Sequence, residues 1–305
     1  TITVERYIGA DRWFYISPAV SGATSAVFAP DGAAGPDRLF YWNEANNGTA
    51  DIGDGWQEIG NSTTDLDVLT GYAYKKQSAG DTVLRFTGTP NSGALSTSLS
   101  RTTGAYKEGF HLLGNPYPSY IDLGNETEGL NISPANLEYT VWVRTGGIFA
   151  TYNLSDNGTA SNGGSRYIAP QQAFWVRLAD GQASGSFALD NTARVSAAQT
   201  TQDFLKHKPQ RSNILRLEVQ RGNATDETVI GFYKNAATGY ERYDSEKMFS
   251  PDARYPQVYT HAEGRHLVIQ GLPPFEGRQL ALPLGFNTWE AGEFTIRATN
   301  LNAFS

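Results

Sequence analysis

Apolar and polar residues alternate with a period of two along much of this 305-residue chain, in bursts of strand length. The pattern predicts strands over 1–8, 13–16, 82–86, 139–144 and 173–178, and further on over 214–219, 227–233, 257–260, 266–270, 279–284 and 293–298. Between the bursts lie Asp31-Gly32, Asn46-Asn47-Gly48, Asp54-Gly55, Asn157-Gly158 and Asn162-Gly163-Gly164, residues that accept the positive φ of tight hairpin turns. Only 245–249 suggests a helical turn, and no long amphipathic helix or internal repeat is visible. The expected fold is all-β: two consecutive antiparallel β-sandwich modules of jelly-roll or Ig-like type.

From Asp190 to Asn213 the alternation gives way to Ala, Gln and Thr and then to a short basic stretch around Pro209, and it restarts at Ile214. This places an N-terminal module at 1–195, a linker at 196–212 and a C-terminal module at 213–305. The chain opens on Thr1-Ile-Thr-Val with no initiator Met or charged leader, and a strand pattern runs to Ala298 shortly before Ser305. Both ends are therefore expected to lie inside a longer protein, with the last module cut short.

Composition agrees with the strand reading, since aromatic residues reach 12% while charged ones stay at 18%. A net charge of −7 with no basic stripe argues against nucleic acid as a partner. No apolar run has the length of a membrane helix. The absence of cysteine removes disulfides, thiolate metal sites and cysteine nucleophiles together.

Candidate chemistry is sparse. GxSxG, HExxH, Walker A and strand-to-helix GxGxxG motifs are all missing, so the chain is read as non-enzymatic. His261 and His266 come together only if the chain turns once between them; solvated histidines beside a turn are the plainer reading. Asp51 with Asp54, and Asp65 with Asp67, offer oxygen ligands from irregular segments, which makes calcium the candidate ion; no other cofactor is expected. The plainer reading of these acids is an Asx turn, and Asp244-Ser245 reads as a cap on the helical turn at 245–249. Trp42, Trp56, Tyr117 and Tyr120 lie near turns, where rings can stack on sugar faces; the competing reading is that they fill the core.

Several ordered blocks carry a family resemblance. Val4-Glu-Arg-Tyr-Ile and Trp13-Phe-Tyr-Ile-Ser-Pro-Ala-Val are followed by Gly88-Thr-Pro-Asn-Ser-Gly, by Phe110-His-Leu-Leu-Gly-Asn-Pro-Tyr-Pro-Ser-Tyr-Ile-Asp and by Ile168-Ala-Pro-Gln-Gln-Ala-Phe-Trp-Val. Asp226-Glu-Thr and Tyr243-Asp-Ser-Glu-Lys extend the series. In this order the blocks resemble the C-terminal regions of large exported Bacteroidetes surface proteins, which are cargo of the type IX secretion system and often adhesin-like. The resemblance implies extracellular or cell-surface display and a parent polypeptide as the first partner. It also implies contact with the secretion machinery through a sorting domain that this chain does not contain.

The function expected from all this is a structural or adhesin-like, surface-displayed region of a larger exported protein, with a glycan or a protein as its surface partner. The alternative is a carbohydrate-binding module attached to a polysaccharide-degrading enzyme.

Overall fold

In the computed structural model, residues 1–9, 12–29, 35–46, 55–77, 79–104, 107–197, 213–274 and 279–301 are described. They form strands and turns with short 3₁₀ turns at Ser25–Phe28, Glu44–Asn46 and Asn191–Ala193, so the all-β expectation holds. Among the described residues no helix is long and apolar enough to cross a membrane. Two compact units result, and they interleave in sequence rather than following one another. The first comprises Thr1–Gly124, Leu130–Glu138 and Tyr167–Asp203; the second comprises Asn125–Gly129, Tyr139–Arg166 and Phe204–Ser305. Residues 198–212 of the expected linker lie outside the described residues.

The first unit begins with the strand Ile2–Ile8, which pairs antiparallel with Thr82–Pro90 from Ile2↔Gly88 to Ile8↔Thr82. Val20–Ser21 takes the other edge of that strand. A four-stranded sheet follows in the order Trp13–Ile16, Tyr72–Lys75, Arg38–Trp42, Trp56–Glu58. Alternation gives each sheet one apolar face, and those faces meet in a core of Ile8, Ile16, Val20, Phe28, Leu39, Tyr72, Tyr74, Leu84 and Phe86. Phe28 locks it, with its ring 4.9 Å from Tyr74 and 5.6 Å from Phe86.

Further along, Leu95–Ser100 and Ile132–Ala135 flank Ser184–Leu189, and Phe110–Gly114 pairs with Ala173–Arg177. The Gly-Asn-Pro-Tyr-Pro-Ser block begins at Gly114, the last residue of Phe110–Gly114. Asn115 is fully buried and organises it: the carboxamide nitrogen donates to the carbonyls of Ser119, Ile168 and Ala169, and the oxygen accepts from the N–H of Tyr117 at 3.0 Å. No described peptide bond is cis, so both X-Pro bonds here are trans. The block is a packed corner inside the unit; its two prolines suit that shape, whereas Gly114 ends the strand without a positive φ and is needed for a close approach to Ser17.

In the second unit, Thr140–Thr145, Ile148–Asn153 and Thr159–Ser161 pair in sequence as antiparallel neighbours. A larger sheet runs in the order Leu284–Asn287, Gln257–Ala262, Arg265–Leu272, Ala224–Phe232, Ile214–Arg221, Thr295–Ala298. The pairing of Ala224–Phe232 with Arg265–Leu272 is parallel, an exception to the antiparallel expectation. The long connection between those strands permits it, because parallel neighbours need a crossover rather than a tight turn. By register Ile214, Val229 and Ile269 share one face of this sheet, and Ile230, Phe232, Val268 and Leu272 share the other; all are buried.

Two local expectations differ from the structure. Ser245–Glu246 is a strand edge against Arg265–Leu272, not a helical turn, because Asp244, Ser245 and Lys247 all point polar groups into buried partners. The Asp244 carboxylate accepts the N–H groups of Glu241 and Gly271 instead of capping a helix. Of 279–284, only Leu284 lies in a strand, at the start of Leu284–Asn287.

Candidate functional site: an aromatic face on the four-stranded sheet

Strand alternation sends Leu39, Tyr74 and Ile16 into the core of the first unit, so the residues between them must face the other way. Those residues are Trp13 and Tyr15 on one strand, Arg38, Phe40 and Trp42 on another, and Trp56 and Glu58 on a third. Register then sets their neighbours. Tyr15 and Phe40 both lie opposite Ala73, Trp13 and Arg38 both lie opposite Lys75, and Trp42 lies opposite Trp56. A methyl group at the centre of the sheet is thus ringed by large aromatics on both flanking strands.

The rings touch in a connected series. Trp13 and Phe40 have centroids 5.8 Å apart, Tyr15 and Trp56 5.9 Å, and Trp42 and Trp56 5.3 Å with planes 74° apart. Trp175, from the strand Ala173–Arg177, stands edge-on to Trp42, Trp56 and Tyr15 at 5.2, 5.7 and 6.0 Å. Such edge-to-face contacts suit the ring quadrupoles and fix ring orientation.

The cluster has a closed end and an open end. At the closed end Trp42 and Trp175 are buried. Trp42 donates its indole N–H to the carbonyl of Phe110 at 2.8 Å, and Gly55 leaves the room its ring fills, since a Cβ there would come within 2.5 Å of the ring. The Trp175 indole N–H is buried and has no hydrogen-bond partner among the described residues. At the open end Trp13, Tyr15, Phe40 and Trp56 stay partly exposed, with the Arg38 guanidinium 5.9 Å from the Trp13 ring centroid. Arg38, Lys75 and Glu58 supply charge around the rim.

Nearby ionisable groups are tied into the scaffold. Buried Glu44 accepts from the N–H groups of Thr102 and Gly109 at 2.9 and 2.8 Å and from the Thr102 hydroxyl at 2.8 Å. His111 shares a 2.8 Å hydrogen bond with the carbonyl of Ser100, and burial pushes its pKa below the ordinary imidazole value.

Of the aromatics singled out from sequence, Trp42 and Trp56 meet directly, as crossed rings rather than a coplanar row. Tyr117 belongs to the buried corner instead, and Tyr120 is partly exposed beside it, apart from the tryptophans. Tyr117 is fully buried, donates its hydroxyl to the carbonyl of Gly93 at 2.5 Å and lies 5.3 Å from the Arg194 guanidinium; Tyr120 opens the short strand paired with Arg194–Val195. Asp51 and Asp54 lie outside the described residues. Asp65 and Asp67 are exposed on either side of buried Leu66, and among the described residues no group of three or more His, Cys, Asp or Glu side chains is placed to hold a metal ion. Sequence reading missed Trp13, Tyr15, Phe40 and Trp175 as members of the site. The parity of Trp13, Tyr15 and Trp175 was readable within strands expected at 13–16 and 173–178, whereas the strand Arg38–Trp42 that carries Phe40 was not expected and which strands are neighbours was not readable.

No curated protein and no solved structure matches the chain. A family model described as a domain of unknown function, DUF8693, matches residues 1–304, and the chain belongs to that family.

Proposed function

We propose that this region is a non-enzymatic, surface-displayed structural and adhesin-like part of a larger exported bacterial protein, and that the aromatic face of its four-stranded sheet is where it binds glycan. The observation that carries the glycan reading is the set of partly exposed rings of Trp13, Tyr15, Phe40 and Trp56 around Ala73. Pyranose rings present apolar C–H faces that pack on such side chains, while hydroxyls reach a charged rim of the kind that Arg38, Lys75 and Glu58 form. The crossed rings favour a cupped sugar unit over a long flat chain. The export and display part of the reading rests on the resemblance of the Gly114-Asn-Pro-Tyr-Pro-Ser and Ile168-Ala-Pro-Gln-Gln blocks to type IX cargo.

The second reading, a carbohydrate-binding module serving a polysaccharide-degrading enzyme, uses the same face and differs only in its ligand. A glycan array with the purified chain, run with and without calcium, separates the two by whether surface glycans or storage and cell-wall polysaccharides are retained. Trp56→Ala and Trp13→Ala are each expected to weaken binding by about tenfold or more, as loss of an anchoring tryptophan does. Absence of binding to every glycan would remove the glycan reading and leave the structural one.

A further inference from the structure

The hairpin joining Gln257–Ala262 to Arg265–Leu272 turns through Glu263 and Gly264, at φ 49° and 78°. Two successive positive φ values make this a type I′ turn, whose hand matches strand twist and pins the register. Ala262 and Arg265 close the turn, and in a two-residue loop that closing pair exchanges both backbone hydrogen bonds. The next pair outward, His261↔His266, therefore occupies a non-hydrogen-bonded position, where opposed side chains come closest.

The two imidazole centroids are 4.9 Å apart, with planes 79° to one another. Tyr259 lies 5.1 Å from the His261 ring and 4.6 Å from the His266 ring. Phe249 stands 5.4 Å from His266 and 5.1 Å from Tyr259, completing an aromatic wall. Tyr259 lies across Gly285, where any Cβ would come within 2.1 Å of its ring, so the wall has a fixed seat. His261 is partly exposed and His266 exposed, so ions in solution reach the pair.

We propose that His261 and His266 chelate a divalent first-row transition ion, Cu²⁺, Ni²⁺ or Zn²⁺. One nitrogen from each ring would sit about 2.0–2.1 Å from the ion, which places the two nitrogens about 3 Å apart. Small rotations of two adjacent rings on a pinned register achieve that separation. Each imidazole keeps its second nitrogen for a hydrogen bond, the usual arrangement at histidine metal sites. Neutral imidazole suits these ions, whereas calcium and magnesium take oxygen ligands. The two rings fill only part of the coordination shell, and water takes the remaining positions.

Calorimetric titration of the metal-free chain with copper, nickel, zinc and calcium chlorides, above the ordinary imidazole pKa of about 6.5, tests this. Saturable one-to-one binding is expected, tightest for copper, with no heat from calcium at this site. His261→Ala and His266→Ala should each weaken copper binding by more than the roughly 10–100-fold that loss of a mere outer-sphere partner costs. The copper electron paramagnetic resonance spectrum should drop from two coordinated imidazole nitrogens to one in either variant. A doubly substituted His261→Phe, His266→Phe chain keeps an aromatic cross-strand pair and should retain its thermal midpoint while losing the metal, which separates ligand loss from hairpin unfolding. No saturable binding, equal affinity in the single variants, or binding that is lost in His111→Ala instead would overturn the proposal.

Discussion

Asp226 and Lys247 form a buried ion pair with the ammonium 2.5 and 2.6 Å from the two carboxylate oxygens, and neither side chain is more than 3% exposed. The pair is tolerable because the carboxylate also accepts the N–H of Val258 and the carboxamide of Asn162, both at 2.8 Å. Asp244 is a different case. Burial pushes its pKa up to about 7 from an ordinary 3.8, against the backbone N–H groups of Glu241 and Gly271, which favour the charged form. A carboxyl whose folded pKa is raised holds its proton more tightly when folded, so its contribution to stability is fully present below about pH 4 and is lost as pH rises toward 7. Urea midpoints measured from pH 4 to pH 8 should therefore fall more steeply for the native chain than for Asp244→Asn, which is expected to be weaker at acid pH and flatter throughout. Parallel curves would show that Asp244 is ionised in the folded protein across that range.

The elements themselves were largely visible in the alternation. Expected strands at 1–8, 13–16 and 173–178 appear as Ile2–Ile8, Trp13–Ile16 and Ala173–Arg177; the first writes its two faces into the sequence, whereas the last is buried at every position. The glycine of the Gly-Asn-Pro-Tyr-Pro-Ser block has a reason that only the strand arrangement gives. At Gly114 a Cβ would sit 2.0 Å from the Cβ of Ser17, where the end of Phe110–Gly114 passes the segment after Trp13–Ile16. Gly114→Ala is thus expected to force two strands apart and to destabilise the unit by about 1–3 kcal/mol. Urea unfolding followed by tryptophan fluorescence measures this, and an unchanged midpoint would mean that the corner relaxes without loss.

Across the chain as a whole, the division into units is where sequence order misleads. Tyr139–Arg166 belongs with the C-terminal half because its polar side chains are satisfied there. Asn153 donates to the carbonyls of Arg242 and Asp244, Ser155 donates to that of Arg242, Ser161 donates to that of Glu227, and the Trp142 indole donates to that of Glu246. A fragment cut at the compositional boundary, residues 213–305, loses all of these partners as well as the Asn162 contact to Asp226. It should show strand-like far-ultraviolet circular dichroism without a cooperative thermal transition, while the full chain melts cooperatively. A sharp transition in the isolated fragment would show that the second unit does not need Tyr139–Arg166.

Class, strand positions and turn sites follow from local chemistry, since period two, β-branched and aromatic residues, and Asn-Gly or Asp-Gly punctuation act over a few residues each. They placed Trp42 and Trp56 near turns without deciding between core and surface, and set His261 and His266 beside a turn. Pairing over long sequence separations belongs to the tertiary structure, because it is decided by which apolar faces can be buried together and which buried polar groups find partners. That is what sets Trp13 beside Phe40, brings Trp175 against Trp42, and joins Tyr139–Arg166 to strands that begin some 50 residues later.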